Sequence, residues 1–215
     1  MKKKIFAAAI AVCLIAAAIT GATIAYFTDN ASVDNTFTIG EVTIKLDESK
    51  VTVVDNRAVV STTERVSTNQ DYGYLYPGQT LTKDPTITNT GSEKAFVAAK
   101  VTISTTADIT DATLTLVKDL LSGGMLLSGS GATCVSALDN GDYVIYILYH
   151  GEMSKDQQIT LFTTLSIPSS YGNTEMALLK GLKISVVAYA VQSAGFTNAK
   201  DAIEAGFDVF DGKFN

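Results

Sequence analysis

From residue 36 onward, apolar and polar side chains alternate with a period of two, in short runs separated by turn-forming residues. That period places successive side chains on opposite faces of an extended strand; a helix, which repeats every 3.6 residues, cannot use it. Phe37 and Ile39 alternate with threonines, and the phase resumes after Gly40 with Val42, Ile44 and Leu46. This predicts two short strands, or one strand broken by a bulge at Gly40. Residues 51–54 and 58–61 flank Asp55-Asn56-Arg57 and predict a hairpin, whereas the polar residues 62–71 read as a loop. At Pro77-Gly78 a turn is expected, because proline presets φ and glycine accepts a positive φ after it. Asp84-Pro85 interrupts an extended stretch over 79–90 and predicts an edge strand or a bulge, since proline cannot donate to a ladder.

The second half continues the pattern. Residues 95–105 predict a strand with Phe96, Ala98, Val101 and Ile103 among its apolar positions. The first helical spacing appears at Leu114, Val117, Lys118 and Leu121, predicting a helix over 111–121 that Gly123-Gly124 stops. Strands at 133–138 and 143–149 are joined by Asp139-Asn140-Gly141-Asp142, and a strand at 158–167 ends at Pro168. A short helical turn is expected at 174–179. Residues 180–192 form the longest apolar strand, and their unbroken run implies burial on both faces. A terminal helix at 198–205 is capped by Asn198 and stopped by Gly206. Roughly eight to ten strands with two short helices predict an all-β antiparallel sandwich. With 47% hydrophobic residues the chain can bury a core, which excludes global disorder. It shows no internal repeat or linker, so residues 26–215 read as one domain behind a separate N-terminal segment, 1–25.

That segment has the form of a secretory signal. Lys2-Lys3-Lys4 supply the positive start, residues 5–19 the apolar core, and Thr23 and Ala25 the small residues of a cleavage site. Cleavage is expected after Ala25, with Tyr26 as the mature N-terminus. Residues 5–27 are also long enough to span a bilayer of about 30 Å, so an uncleaved anchor is the alternative; the polar Thr28, Asp29 and Asn30 that follow favour cleavage. Val12 is too large to precede a lipidated Cys13, and the apolar run continues past it. The C-terminal Asp211-Gly212-Lys213-Phe214-Asn215 has no apolar tail. Membrane contact is therefore expected only transiently, through the leader.

Removing the three leader lysines leaves 13 basic against 22 acidic residues, a net of −9. Nucleic-acid binding depends on clustered Lys and Arg, so this balance argues against it. Of two cysteines only Cys134 lies beyond the leader, which excludes an intrachain disulfide in the mature protein. Cys134 is expected as a small, buried apolar side chain.

Two stretches then resemble a known family. Gly21-Ala22-Thr23-Ile24-Ala25-Tyr26-Phe27-Thr28-Asp29, followed by Asn35-Thr36-Phe37-Thr38-Ile39-Gly40 and Val42-Thr43-Ile44, is similar to the start of TasA/camelysin proteins. Leu75-Tyr76-Pro77-Gly78-Gln79-Thr80 and Pro85-Thr86-Ile87-Thr88-Asn89-Thr90-Gly91 resemble it more loosely. The resemblance implies secretion to the exterior or cell surface of a Gram-positive bacterium, with a SipW-type signal peptidase as partner during export. It implies a jelly-roll-like β-sandwich, and self-association or contact with other biofilm matrix proteins, because TasA forms matrix fibres in which one subunit's N-terminal segment completes a neighbour's sheet. On that pattern Tyr26, Phe27, Thr28 and Asp29 begin an assembly arm, residues 26–35. Such an arm would gain main-chain hydrogen bonds on an exposed sheet edge, with Phe27 as anchor; pairing within its own domain is the alternative.

Camelysin is classed as a metalloendopeptidase, which sets the enzyme reading. The chain has one histidine, His150, and no His-Glu-x-x-His motif, so two-histidine ligation within one chain is impossible. His150 is expected as a surface or turn residue at a strand end. No Gly-x-Ser-x-Gly elbow marks a nucleophile. The acidic turns at 139–142 and 208–211 lack the ligand spacing of a Ca²⁺ loop. Tyr72, Tyr74 and Tyr76 alternate and are expected to cover one side of a sheet, the other reading being a binding strip for glycan or peptide. Neither catalytic, cofactor-binding nor metal-binding residues are assigned. The reading is a structural protein, with a monomeric glycan- or protein-binding module as the alternative.

Overall fold

β1 (Ile44–Val54) turns back into β2 (Arg57–Val66) through Asp55 and Asn56, whose φ angles are 49° and 62°. Two successive left-handed residues make a type I′ turn, and its twist matches that of the strands it joins. The computed structural model describes residues 40–122 and 131–215. The leader, the cleavage site at Ala25 and Tyr26, the arm with Phe27, Thr28 and Asp29, the strand at 36–39 and the Gly123-Gly124 stop lie outside the described residues.

Two four-stranded antiparallel sheets carry the fold. The first has the order β2-β1-β4-β8, with β4 at Thr86–Asn89 and β8 at Gln158–Thr160. The second has the order β10-β5-β7-β6, built from Lys183–Gln192, Ala95–Ser104, Asp142–Met153 and Ala132–Asp139. β3 (Thr80–Thr82) and β9 (Thr164–Ser166) form a separate ribbon. β6 and β7 meet in a second type I′ turn at Asn140-Gly141, with φ of 50° and 84°. At the start of β1 the chain runs against residues 90–93, where Ser92 N and Glu93 N donate to the Glu41 carbonyl. A Cβ on Gly91 would collide with that same carbonyl, so glycine is required there.

Both faces of the second sheet are covered, which explains why its central strands lose the expected alternation. Val97, Val101 and Ile103 of β5 and Tyr143, Ile145 and Ile147 of β7 point into the main core, with Ile87, Phe162 and Leu165 opposite. Phe96 and Ala98 of β5 and Val144, Tyr146 and Leu148 of β7 point the other way. There they meet α3 (Ala199–Gly206), the 3-10 turn Asp208–Phe210 and Phe214. Asn198 caps α3 as expected, its Oδ1 accepting from Asp201 N at 2.9 Å. α1 (Asp111–Ser122) buries Val117, Leu120 and Leu121 in the main core, and α2 (Asn173–Leu178) is a single exposed turn and a half.

The all-β sandwich is as expected; several local expectations are corrected. Residues 62–66 belong to β2 rather than to a loop: Arg65 and Val66 pair with Ser49 and Glu48 of β1, and the residues before them form a large bulge. The stretch 158–167 is two strands, β8 and β9, separated where Leu161 and Phe162 turn into the core. α2 is the short helical turn expected at 174–179, which with α1 and α3 makes three short helices. Pro85 falls in the kink between β3 and β4, and β4 itself is an interior strand. β10 is not buried on both faces: it is an edge strand, half-buried, with Val187 46% exposed. Cys134 is exposed on the edge strand β6, where it borders a small open cleft beside Val117 and Leu121 of α1.

Candidate functional site: a groove beside an open strand edge

β10 has only β5 as a partner among the described residues, so its other edge presents a row of backbone groups over ten residues. Beyond Lys183 at its start, that edge carries no charge or proline through Gln192, the devices by which edge strands are usually blunted. Alongside its first half runs a groove of about 380 Å³. Residues 182–186 form one wall, residues 46–48 of β1 and the segment 66–73 form the other.

The second wall is held by a network of paired charges. Arg65 Nε lies 2.7 Å from Asp47 Oδ1 and its Nη1 lies 2.6 Å from Asp84 Oδ2, while Nη2 donates to the carbonyls of Asp47 and Asp84. Asp84 also accepts from Ser49 N at 2.8 Å and Ser49 Oγ at 2.9 Å. Lys83, only 8% exposed, reaches Glu48 at 2.7 Å and stacks its ammonium 5.1 Å from the Tyr72 ring centre. Burial alone would raise both carboxyls, yet Asp47, held by Lys45 and Arg65, and Asp84, held by Ser49 N and Arg65, lie below the usual carboxylate range. Burial, then the Glu48 charge, pushes the Tyr72 phenol well up.

Gln70 completes this wall. β1 and β2 leave register between Ser49 and Val51, which strands main-chain groups without a ladder partner. The Gln70 side chain supplies one, its Oε1 accepting from Val51 N and its Nε2 donating to the Ser49 carbonyl at 2.9 Å. An amide side chain thus stands in for a missing strand residue.

The tyrosines predicted to cover a sheet do not share a role. Tyr72 packs into the groove wall, while Tyr74 is 71% exposed and Tyr76 lies under the Arg57 guanidinium at 5.2 Å. The reason is that 72–76 is not a strand; only Gly73 bridges to Arg57. His150 is exposed near the end of β7, its Nε2 2.8 Å from Thr133 Oγ1. Sequence reasoning missed the whole network. Lys45, Asp47 and Ser49 do repeat on one face of a strand, but nothing local pairs Asp47 with Arg65, 18 positions away, or Ser49 with Asp84, 35 positions away.

A family model described as Camelysin metallo-endopeptidase matches residues 1–120, more than half of the chain. The chain belongs to the camelysin family. The match runs through the leader, the first sheet up to β4, the charged network, β5 and most of α1. Searches of the curated proteins and of the solved structures find no match. The metal that the camelysin description implies can be tested against the donors present. A catalytic zinc takes three protein ligands and works with a carboxylate base. Among the described residues no group of three or more His, Cys, Asp or Glu could hold a metal ion. The acidic turn 139–142 is a hairpin, and the wall carboxylates are tied to Lys, Arg and backbone. The described donors of this camelysin-family chain do not fit such a centre. No helix among the described residues is long and apolar enough to cross a membrane.

Proposed function

We propose that this protein is a secreted structural protein of the bacterial cell surface or biofilm matrix, able to form fibres by strand addition. The observation that carries the reading is the long, open edge of the second sheet, free of charge and proline beyond Lys183 at its start. Soluble β proteins normally blunt such an edge, whereas an assembling protein has to leave it open. The leader supports export, by way of a SipW-type peptidase in a Gram-positive host, and cleavage at Ala25 would release residues 26–35 as a donor arm for an open edge on a neighbour.

The test uses secreted mature protein. Its mass should correspond to a chain beginning at Tyr26, and it should sediment as polymers. Deleting 26–35 should shift it strongly towards monomer. Intact mature protein that stays monomeric at all concentrations would remove the structural reading and favour a glycan- or protein-binding module; polymers that ignore the deletion would remove the arm.

The family description favours one other reading, a metallopeptidase. On the structural reading, purified protein leaves casein intact. Chelator-sensitive hydrolysis that is lost in His150→Ala would establish the peptidase.

A further inference from the structure

We propose that β6 of one copy adds to β10 of a second copy, antiparallel and in register, so that the second sheet runs on from subunit to subunit. The inference rests on reading the protein as one that assembles, and it names the partner of the groove. In a four-stranded antiparallel sheet the two outer strands run in opposite directions. Placing a copy one strand further along the hydrogen-bonding direction, turned by the accumulated twist of the sheet, therefore sets β6 antiparallel to β10. Such a head-to-tail contact does not close on itself and propagates as a filament.

Side chains match across the junction. Ile184, Ile103, Tyr143 and Leu138 form one row across the sheet. Continuing that row brings Leu138, 45% exposed, against Ile184 of the next copy. The row through Lys100 and Tyr146 likewise ends in Val135 and the exposed Val187. One row further, Lys183 stands at the β10 end and Asp139 at the β6 end. Opposite charges facing each other across a strand pair fix its register.

The shapes match as well. On the inward face of β6, Cys134, Ser136 and Leu138 are exposed, while Tyr143, Ile145 and Ile147 on the same face of β7 are buried. Among the described residues the inward face of β6 is thus only partly covered, with a small open cleft between it and Val117 and Leu121 of α1. At the opposite side of the molecule, the wall formed by 46–48 and 66–73 stands across from β10. A partly covered strand on one side and a recessed edge on the other make a lap joint. This contact leaves the edges of the first sheet, β2 and β8, for the arm.

Charge exchange tests it on the mature chain. Lys183→Asp and Asp139→Lys, both at turn-proximal positions away from the core, should each weaken assembly by about tenfold or more, because like charges then face each other at the junction. The double variant should recover to within about threefold of the unmodified protein. As a second measurement, protein with Cys134→Ser and Ala137→Cys, mixed with protein with Cys134→Ser and Ser185→Cys, should form a disulfide between copies under copper-phenanthroline oxidation. Single reversals without effect, a double variant that fails to recover, or absence of that cross-link would overturn the contact. Fibres that vanish on deleting 26–35 yet ignore the charge reversals would give β10 to the arm and leave the structural reading standing. Mature protein that never assembles would remove both.

Discussion

Replacing Asp84 with alanine is expected to lower the unfolding free energy by about 3 kcal/mol, as a shift of the urea midpoint at unchanged slope. Three bonds are lost at once, those from Ser49 N, Ser49 Oγ and Arg65. The loss leaves Ser49 N without its acceptor and returns Arg65 to one carboxylate. Asp84→Asn retains the shape and an acceptor oxygen, so it should cost less, about 1–2 kcal/mol. The same site makes a pH prediction. The carboxyls of Asp47 and Asp84 are held below their ordinary value of 3.8 in the folded protein. Such groups contribute stability that is complete above the unfolded pKa and is lost as pH falls through the lower, folded one. Unfolding free energy measured from pH 7 downward should therefore drop below about pH 4, and the drop should be shallower in Asp84→Asn, which has no charge to lose there. A variant that tracks the parent in parallel down to pH 2 would show that the network does not couple to folding.

What could be read from the sequence and what could not divides along a physical line. Turns were legible because their chemistry is local: Asp55-Asn56 and Asn140-Gly141 can adopt the two successive positive φ angles that a two-residue hairpin needs. The Asn198 cap was legible for the same reason. Burial was not, because it depends on which element lies on top. The apolar runs of β5 and β10 look alike, yet one is central and buried while the other is an edge. Residues 62–65 are polar and still continue a strand, since on an exposed ribbon the backbone pairing of Arg65 and Val66 with β1 decides. Cys134 had the composition of a core residue and the position of an edge one. The candidate site fell on the illegible side: its groove is made where β10 meets residues more than a hundred positions earlier.

Phe210→Ala is expected to have the largest effect of any single change outside the main core, about 3–5 kcal/mol. Phe210 is fully buried and is the hub of the outer aromatic cluster. Its ring meets Tyr189 edge-on at 5.0 Å and Tyr146 at 6.0 Å, and stacks on Phe214 at 5.7 Å. Phe210→Leu keeps most of the volume and should cost less, about 1–2 kcal/mol. The size of the loss follows from the architecture. A two-layer sandwich would leave the outer face of the second sheet to solvent, and Phe96, Ala98, Val144 and Leu148 would then be exposed. α3 and the turn after it form a third layer over that face. Removing its hub loosens the layer rather than leaving a sealed cavity, so the variant should bind a hydrophobic dye in the native baseline before it unfolds. A variant equally unstable but silent to the dye would mean that the C-terminal layer stays closed over a cavity. The distinction bears on assembly: the layer lies against the same strands, β5, β7 and β10, that present the open edge, so a loosened cover would add an apolar face to that edge and turn ordered strand addition into aggregation.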